Sequence, residues 1–385
     1  MPAHLADVTQ FWSLSGGGVR RYLTAKRRWL ARHTVWCHSL VVPGDGKGGT
    51  LPSVPLPFSQ GYRWPYSRAG SARRIVDLQP DLIECGDPLA AFSAAARAAN
   101  RLRVPLVAFA HCDLPAMAAR FGGATAERLA AAYLRRIYGR CELVLAPSRH
   151  TRARLHDYGV ERVRVQPLGV DTSIFRPQAP AIDWRAQLNL PHATRVLVYA
   201  GRFAPEKNLH VLTEAVRRLG PAYALIAIGA GPTPPAGPQV IALPFRRDTA
   251  QLAAAINGAD VFVHAGDAET FGLGALEALA CGVPVVACAA AAVTEMIDDR
   301  VGAAVAWTVP AKRADQFAQA ISAVCERGRE SYATPARARA LCYDWKPVFG
   351  QLFGRYVRLM AQNGRGAQAT CAPREAHDIA VRHAA

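Results

Sequence analysis

The sequence predicts an α/β protein of two doubly wound parallel sheets, and three observations support that fold class. The chain has 385 residues, enough for two domains of typical size. Residues Val261–Cys288 have the pattern of a buried strand, a loop, a short helix and a second strand, the repeating unit of a parallel sheet flanked by helices. The same alternation of strand and helix recurs in both halves of the chain.

Strands and helices alternate through the first half. The pattern predicts strands over Asp7–Trp12, Val35–Pro43, Asp81–Glu84, Val104–Ala110 and Leu143–Ser148, and helices from near Val19, over Ala90–Leu102 and over Ala126–Gly139. The stretch 44–66 is rich in Gly and Pro, which predicts a long loop that either faces an acceptor or is disordered. A linker is expected within residues 172–190, so the first domain is placed at 1–178.

The second half repeats the alternation. Strands are predicted over Val196–Ala200, Ala224–Gly229, Val240–Leu243, Val261–Val263 and from Val283, with a helix over Gly272–Ala280. This second domain is placed at 179–342. The amphipathic stretch Val348–Met360 predicts a further helix within 343–361. Residues 362–385 are expected to form a disordered tail, because they lack an apolar period.

Two carboxylates in the central unit, Glu269 and Glu277, are the first candidate site residues. Eight helical residues separate two side chains by about 12 Å along the axis and about 80° around it. That spacing suits hydrogen bonds to an elongated, hydroxyl-bearing ligand better than a shared metal ion. On spacing alone, a solvated loop acid and a surface helix residue explain the pair equally well.

A glycine triplet lies between the first predicted strand and its helix: Gly16, Gly17 and Gly18. Such a loop lets backbone amides approach a phosphate at the positive end of a helix. The triplet matches neither of the common phosphate-binding glycine patterns, so a simple tight turn explains it equally well.

Three further candidates lie where predicted strands end. Arg202 and Lys207 flank a strand-to-helix loop, where two cations can meet a diphosphate. His111 follows a buried strand, although a lone histidine is more often structural. Asp113, two residues later, is a candidate on the acceptor side.

Several of these motifs occur together in one known family. The Glu269 to Glu277 segment resembles the Glu-x7-Glu signature of retaining nucleotide-sugar glycosyltransferases of the GT-B fold, glycosyltransferase family 4. The strings SGGGVRRYL and YAGRFAPEKNLHVL are similar to further motifs of that family. The resemblance implies two Rossmann-like domains facing each other across a cleft, with the acceptor in the first domain and the donor nucleotide in the second. It also implies that the helix within 343–361 crosses back to the first domain.

The resemblance assigns roles to the candidate residues. It implies that Glu277 binds the ribose, that Glu269 holds sugar hydroxyls and that His111 contacts the transferred sugar. Arg202 and Lys207 would offset the charge of the leaving diphosphate. The implied donor-binding positions are Gly16, Gly17, Gly18, Arg202, Lys207, Phe245, Phe271, Gly272, Leu273 and Glu277. One departure is the run of alanines before Glu295, where the family often has glycines.

The net charge of +17 is concentrated in the first half of the chain. Residues 1–180 carry 25 Lys and Arg against 12 Asp and Glu, and the predicted helix that follows the glycine triplet holds six of these cations within 20–32. An anionic lipid surface, an acidic or phosphorylated acceptor, a nucleic acid or a merely solvated surface could each explain this excess. No nucleic acid is expected, because the basic segments lack interleaved aromatic residues and known reader motifs.

The remaining features concern the need for a metal or cofactor and the cellular compartment. The chain has no Asp-x-Asp triplet, and two cations are available for the phosphates, so no metal is expected to be required. Nine cysteines without a C-x-x-C pair are expected to be scattered thiols rather than zinc ligands. No apolar run of 18 residues and no signal-peptide pattern is present, which predicts a cytoplasmic protein, with peripheral attachment to the inner face of the membrane as an option.

Together these features predict transfer of a hexose, of the mannose or glucose type, from a GDP- or UDP-linked sugar to a hydroxyl. The acceptor is left open between lipid-linked glycans, polysaccharides and small glycosides, with lipid-linked or envelope and exopolysaccharide glycan assembly favoured. Two alternatives stay open: a sugar-nucleotide epimerase of similar fold, and a basic module that binds nucleic acid or membrane without catalysis.

Overall fold

The computed structural model describes residues 2–13, 17–44, 50–57, 59, 61–178, 180–246, 248–289, 291–297 and 306–364. Its strands are β1 His4–Val8, β2 Cys37–Val41, β3 Pro43–Gly44, β4 Leu51–Pro55, β5 Arg63–Pro65, β6 Leu82–Cys85, β7 Leu106–Phe109, β8 Leu143–Ala146, β9 Val163–Val165, β10 Arg195–Arg202, β11 Tyr223–Ala230, β12 Val240–Pro244, β13 Val261–His264, β14 Val285–Cys288 and β15 Ala306–Val309. Its α-helices are α1 Gly18–His33, α2 Arg68–Asp77, α3 Ala90–Leu102, α4 Leu114–Tyr138, α5 Arg149–Asp157, α6 Trp184–Gln187, α7 Leu209–Leu219, α8 Thr249–Asn257, α9 Leu273–Ala280, α10 Ala291–Ile297, α11 Ala314–Arg327, α12 Glu330–Leu341 and α13 Trp345–Gln362. A short 3₁₀ turn covers Pro205–Lys207.

Two six-stranded sheets dominate the fold, and every strand pair within them is parallel. Their strand orders are β2-β1-β6-β7-β8-β9 and β12-β11-β10-β13-β14-β15. The direction of winding reverses between β1 and β6 in the first sheet and between β10 and β13 in the second. Ligands bind at such switch points, beyond the carboxyl ends of the strands. The predicted class of two doubly wound α/β domains is confirmed.

Two element boundaries differ from the prediction by four residues or more, and each difference involves an aspartate. The first strand ends at Val8 rather than Trp12, since Thr9 Oγ1 and Gln10 N donate hydrogen bonds to Asp87 at 3.1 and 2.6 Å and turn the chain out of the sheet. Helix α4 begins at Leu114, twelve residues before the predicted start. Asp113 caps it by accepting a hydrogen bond from Ala116 N at 3.0 Å.

The Gly- and Pro-rich stretch 44–66 contains more order than the predicted loop. Strands β4 and β5 pair antiparallel, and β3 joins them to form a small three-stranded sheet. Residues 45–49, 58 and 60 of this stretch lie outside the described residues, as do residues 365–385 of the predicted tail. Among the helices that are described, none has the length and apolar character needed to cross a bilayer.

Helix α13 packs against α1 and contributes Tyr356 to a buried charged cluster. Lys26 donates hydrogen bonds to Asp7 at 2.7 Å, to Glu84 at 3.0 Å and to the Tyr356 hydroxyl at 2.8 Å. Tyr356 in turn donates to Glu84, and His38 Nε2 lies 2.7 Å from Asp7. All three protons of one ammonium are therefore used to join α1, β1, β6 and α13.

Helix α9 is buried on nearly every side, because the side chains of its sequence, LGALEALA, are almost all apolar around the whole helix. Residues Ala275 to Ala280 are all buried, packed beside β13, β14 and α12. Glu277 is the one charged residue of the helix and is 4% exposed. A carboxylate in such a place needs a partner or a ligand.

We expect Lys26→Ala to lower the free energy of unfolding by about 3–5 kcal/mol, because it leaves the Asp7 and Glu84 carboxylates buried without their cation. The neighbouring Arg27 is exposed, so Arg27→Ala should stay within about 0.5 kcal/mol of the wild type. Urea unfolding of both variants measures the difference. Similar losses for the two variants would contradict the role assigned to the Lys26 cluster.

Candidate active site

A cleft of about 550 Å³ lies between the two sheets, where the carboxyl ends of β1, β7, β10 and β13 converge. Both domains contribute to its walls. Of the predicted site residues, those that line the cleft are Gly17, Gly18, His111, Arg202, Lys207, Phe245, Glu269, Phe271, Gly272, Leu273 and Glu277. Gly16 lies outside the described residues.

The amino termini of α1 and α9 approach each other across the cleft. A Cβ at Gly18 would lie 2.9 Å from the Leu273 side chain, so the glycine permits this approach, and Gly17 has open space in front of it. Gly272, which precedes α9, has φ of +98°, a conformation that other residues rarely adopt. Two positive helix ends therefore face the same volume, which favours an anionic ligand there.

Glu269 accepts hydrogen bonds from two second-domain residues. Lys207 Nζ donates to Glu269 Oε1, and His264 Nε2 lies 3.0 Å from the same oxygen. Burial opposes ionisation of Glu269, but the Lys207 ammonium and the His264 contact outweigh it and hold the pKa of the carboxyl well below its usual range. Glu269 is thus a fixed anion beside a cation at the end of β13.

Arg202 is the more exposed of the two predicted phosphate-binding cations. It donates to Glu206 at 2.8 Å, four residues along, and its side chain is 53% exposed. Arg120 of the first domain lies 3.9 Å from Glu206 and 3.5 Å from Asp267. Arg202 and Arg120, at this end of the cleft, are therefore both paired with carboxylates.

Glu277 is paired across the cleft. Arg21 of α1 donates from Nη1 to Glu277 Oε1. Burial raises the pKa of Glu277, and the Arg21 guanidinium partly offsets this rise. The carboxylate predicted to hold a ribose is thus occupied by a first-domain cation in this structure.

His111 provides a nitrogen with no partner among the described residues. Its ring stacks on Phe109, with centroids 4.3 Å apart and planes 4° apart. Nε2 is shielded from solvent without a hydrogen bond, and burial lowers the pKa of His111 to about 3. A neutral imidazole with an unused nitrogen therefore faces the cleft, while the backbone oxygen of His111 accepts from Thr270 Oγ1 at 3.2 Å.

Other expected site residues have structural contacts. Phe271 is 4% exposed and its ring packs edge-on against Tyr343. Asp113, the acceptor-side candidate, instead caps α4 and lies 3.2 Å from Arg154. Glu295 accepts hydrogen bonds from the first two backbone amides of α5. It therefore joins the second domain to the first, although alanines precede it where the family often has glycines.

Two residues that contact the predicted carboxylates were not predicted as site residues, His264 and Arg21. His264 is the last residue of β13, and His111 lies just after β7. The position of His264 at the carboxyl end of a strand was therefore the signal that could have identified it. Arg21 was predicted only as one of several cations on a basic helix. Its pairing with Glu277 joins positions 256 residues apart and has no local signal.

No three His, Cys, Asp or Glu side chains are grouped as metal ligands in the described part of the chain. The cysteines within the described residues form no disulfide, and most of them are buried.

A likeness among solved structures supports the fold. A sucrose-phosphate synthase (tll1590) from Thermosynechococcus elongatus superposes with a TM-score of 0.73 at 19% identity, covering 94% of this chain and 100% of the other. The GT-B arrangement of two Rossmann-like domains is thereby confirmed.

The comparisons of sequence agree with the expected chemistry. The model "Glycosyltransferase Family 4" matches residues 16–174, and "Glycosyl transferases group 1" matches residues 194–327. A GDP-mannose-dependent alpha-mannosyltransferase of Mycobacterium tuberculosis (strain CDC 1551 / Oshkosh) is 31% identical over 289 residues, 74% of each chain. A GDP-mannose-dependent alpha-(1-6)-phosphatidylinositol dimannoside mannosyltransferase of Mycobacterium tuberculosis (strain ATCC 25177 / H37Ra) is 28% identical over 369 residues, 89% of this chain and 93% of the relative. These similarities favour a glycosyltransferase over an epimerase or a non-catalytic binding module.

Proposed function

The chain belongs to glycosyltransferase family 4 and is a nucleotide-sugar-dependent glycosyltransferase, and we propose that it transfers mannose from GDP-mannose to a glycan or lipid-linked hydroxyl. The donor proposal is supported by the two mannosyltransferase relatives, both of which are GDP-mannose-dependent by name. One observation carries the proposal. Lys207 and His264 both contact Glu269, in a cleft toward which two helix amino termini point.

The diphosphate of the donor is proposed to lie between the amino termini of α1 and α9. There the backbone amides near Gly17 and Leu273, together with Arg202 and Lys207, offer hydrogen bonds and positive charge. Glu277 accepts hydrogen bonds from the ribose once Arg21 has moved from it. Phe245, on the loop after β12, lies where it can contact the base.

The sugar is proposed to lie between Glu269 and His111, one from each domain. Glu269 is an ionised acceptor for sugar hydroxyls because Lys207 and His264 hold its pKa low. His111 is neutral, so its free nitrogen can form one hydrogen bond to the sugar without adding charge. We further propose that the anomeric configuration is retained, as the Glu-x7-Glu resemblance implies.

Rate acceleration is proposed to come mainly from fixed positive charge. As the bond between the sugar and the diphosphate breaks, negative charge accumulates on the leaving phosphate oxygen. Arg202, Lys207 and the two helix ends are already in place, so little reorganisation accompanies that charge. The acceptor hydroxyl approaches from the first-domain wall.

A thermal-shift panel tests the donor class. Excess ligand stabilises the fold that it binds, so GDP or GDP-mannose should raise the melting temperature of the wild type more than UDP or ADP compounds do. Glu277→Ala should lose most of that shift, because the ribose loses its buried acceptor. Glu214→Ala, which removes a partly exposed carboxylate from α7 in the same domain, outside the cleft, is the matched control and should behave as the wild type. A larger shift with UDP compounds would reject GDP-mannose as the donor.

Replacing Lys207 tests the charge stabilisation. One such group contributes about 3–4 kcal/mol in the transition state, so Lys207→Ala should lower kcat by about two to three orders of magnitude. Arg218→Ala, on the exposed part of α7, should leave kcat unchanged. Release of GDP under saturating donor and acceptor measures both. A nearly normal kcat for Lys207→Ala would remove Lys207 from the mechanism.

Chelation tests the proposal that cations of the protein, rather than a divalent metal, offset the diphosphate charge. Turnover should persist in excess EDTA, because Arg202, Lys207 and the helix ends supply that charge. The assay compares initial rates before and after dialysis against EDTA. Loss of activity that is restored by Mg²⁺ or Mn²⁺ would show that this account of the site is wrong.

A further inference from the structure

Large apolar side chains are exposed mainly in one region of the first domain. Among the described residues ten such side chains are exposed, and eight of them belong to two segments. We call these eight the apolar rim: Val54, Leu56, Trp64 and Tyr66 around the β4–β5 hairpin, and Met117, Phe121, Leu129 and Tyr133 on α4. A folded chain rarely concentrates exposed apolar surface in this way unless something covers it.

The apolar rim reaches the cleft from both of its segments. Leu56, Trp64 and Met117 all line the cleft itself. Phe121 follows Met117 by one helical turn and is 93% exposed. It directly precedes the kink at Gly122 and Gly123, where the backbone leaves helical geometry. The kink thus holds an aromatic side chain in solvent beside the cleft mouth.

The charge around the apolar rim is positive. Residues 50–76 contain four arginines and no acid, and residues 114–140 contain five arginines and one acid, Glu127. Glu127 is itself paired with Arg154. Exposed aromatic side chains on segments rich in arginine and nearly free of acid match the interface of an anionic bilayer, where rings enter the headgroup region and guanidinium groups reach phosphates.

Helix α1, the basic segment that the sequence singled out for lipid contact, fits a bilayer less well. Lys26 is buried and Arg21 is paired with Glu277 inside the cleft. Arg28 and Arg32 line a second cavity, of about 640 Å³, that is also bordered by residues of the second domain. Apart from Arg27, the cations of α1 therefore are buried or border recesses of the protein, and no large apolar side chain of this helix is exposed.

We propose that the apolar rim docks the enzyme on an anionic lipid bilayer, so that the cleft opens at the lipid surface. Docking depends only on the exposed apolar side chains and the arginines around them. One consequence rests on the proposed function: the acceptor hydroxyl is presented from the membrane, on a molecule with a lipid anchor.

Vesicle cosedimentation of the full chain tests the proposal. Wild type should sediment with vesicles of phosphatidylcholine and phosphatidylglycerol, less with phosphatidylcholine alone, and less at high salt because screening weakens the arginine contribution. The double variant Tyr66→Ser/Phe121→Ser should lose about tenfold in partition, since two inserted rings are removed. Neither of these residues lines the cleft.

The matched control is Trp307→Ser/Leu341→Ser, which removes two exposed apolar side chains of the second domain. It should sediment as the wild type does. Equal loss in both double variants, or no sedimentation of the wild type, would overturn the proposal. Loss of sedimentation by Arg27→Glu/Arg28→Glu, with normal sedimentation of the rim variant Tyr66→Ser/Phe121→Ser, would also overturn the proposal. In that case α1 would be the segment that contacts the lipid.

Two further measurements distinguish lipid docking from self-association and from unfolding of the rim variant. Sedimentation velocity without lipid should show the same mass for wild type and rim variant; a dimer that only the rim variant loses would assign the rim to a second copy and overturn the proposal. The rim variant should keep the nucleotide thermal shift of the wild type, which shows that lost sedimentation is not unfolding. If vesicles bind but no nucleotide shifts the wild type, the proposed function fails while docking stands.

Discussion

One buried ammonium holds the first wall of the cleft together. Lys26 is 1% exposed, and its three hydrogen bonds end on β1, β6 and α13. Buried charges are costly unless they are fully paired, so this cluster permits few other arrangements of its four elements. The ammonium and the His38 contact outweigh burial and lower the pKa of Asp7 to about 2, whereas burial raises the pKa of Glu84. The orientation of α1, which also carries Gly18 and Arg21, depends on this arrangement.

With α1 fixed in this way, similar arrangements of strand, loop and helix from the two sheets face each other across the cleft. Each sheet reverses its winding beside its first strand, and the amino termini of α1, which follows β1, and of α9, which follows β13, both lie at the cleft. The carboxylates inside are neutralised before any ligand arrives, Glu269 by Lys207 and Glu277 by Arg21. A nucleotide sugar can offer its hydroxyls to these carboxylates as hydrogen-bond donors, while its diphosphate interacts with the cations.

The excess positive charge of the first half has more than one use in the folded protein. Lys26 supports the fold, Arg21 borders the donor site, and Arg120 reaches two second-domain carboxylates across the cleft. The remaining arginines near Phe121 and the β4–β5 hairpin accompany exposed apolar surface. Net charge alone could not separate these uses, because it records neither burial nor partners.

The sequence by itself determined the fold class and most of the candidate site. Apolar periodicity is a local property, and residues at the carboxyl ends of parallel strands must gather at one edge, so Arg202, Lys207 and Glu269 could be placed together in the second domain, and the family resemblance added His111 from the first. Only the tertiary structure decided which cations meet which acids. Arg21 pairs with Glu277, 256 residues away in the sequence, and Lys26 pairs with Glu84, 58 residues away. Such pairs depend on how whole elements pack, and no local pattern encodes them.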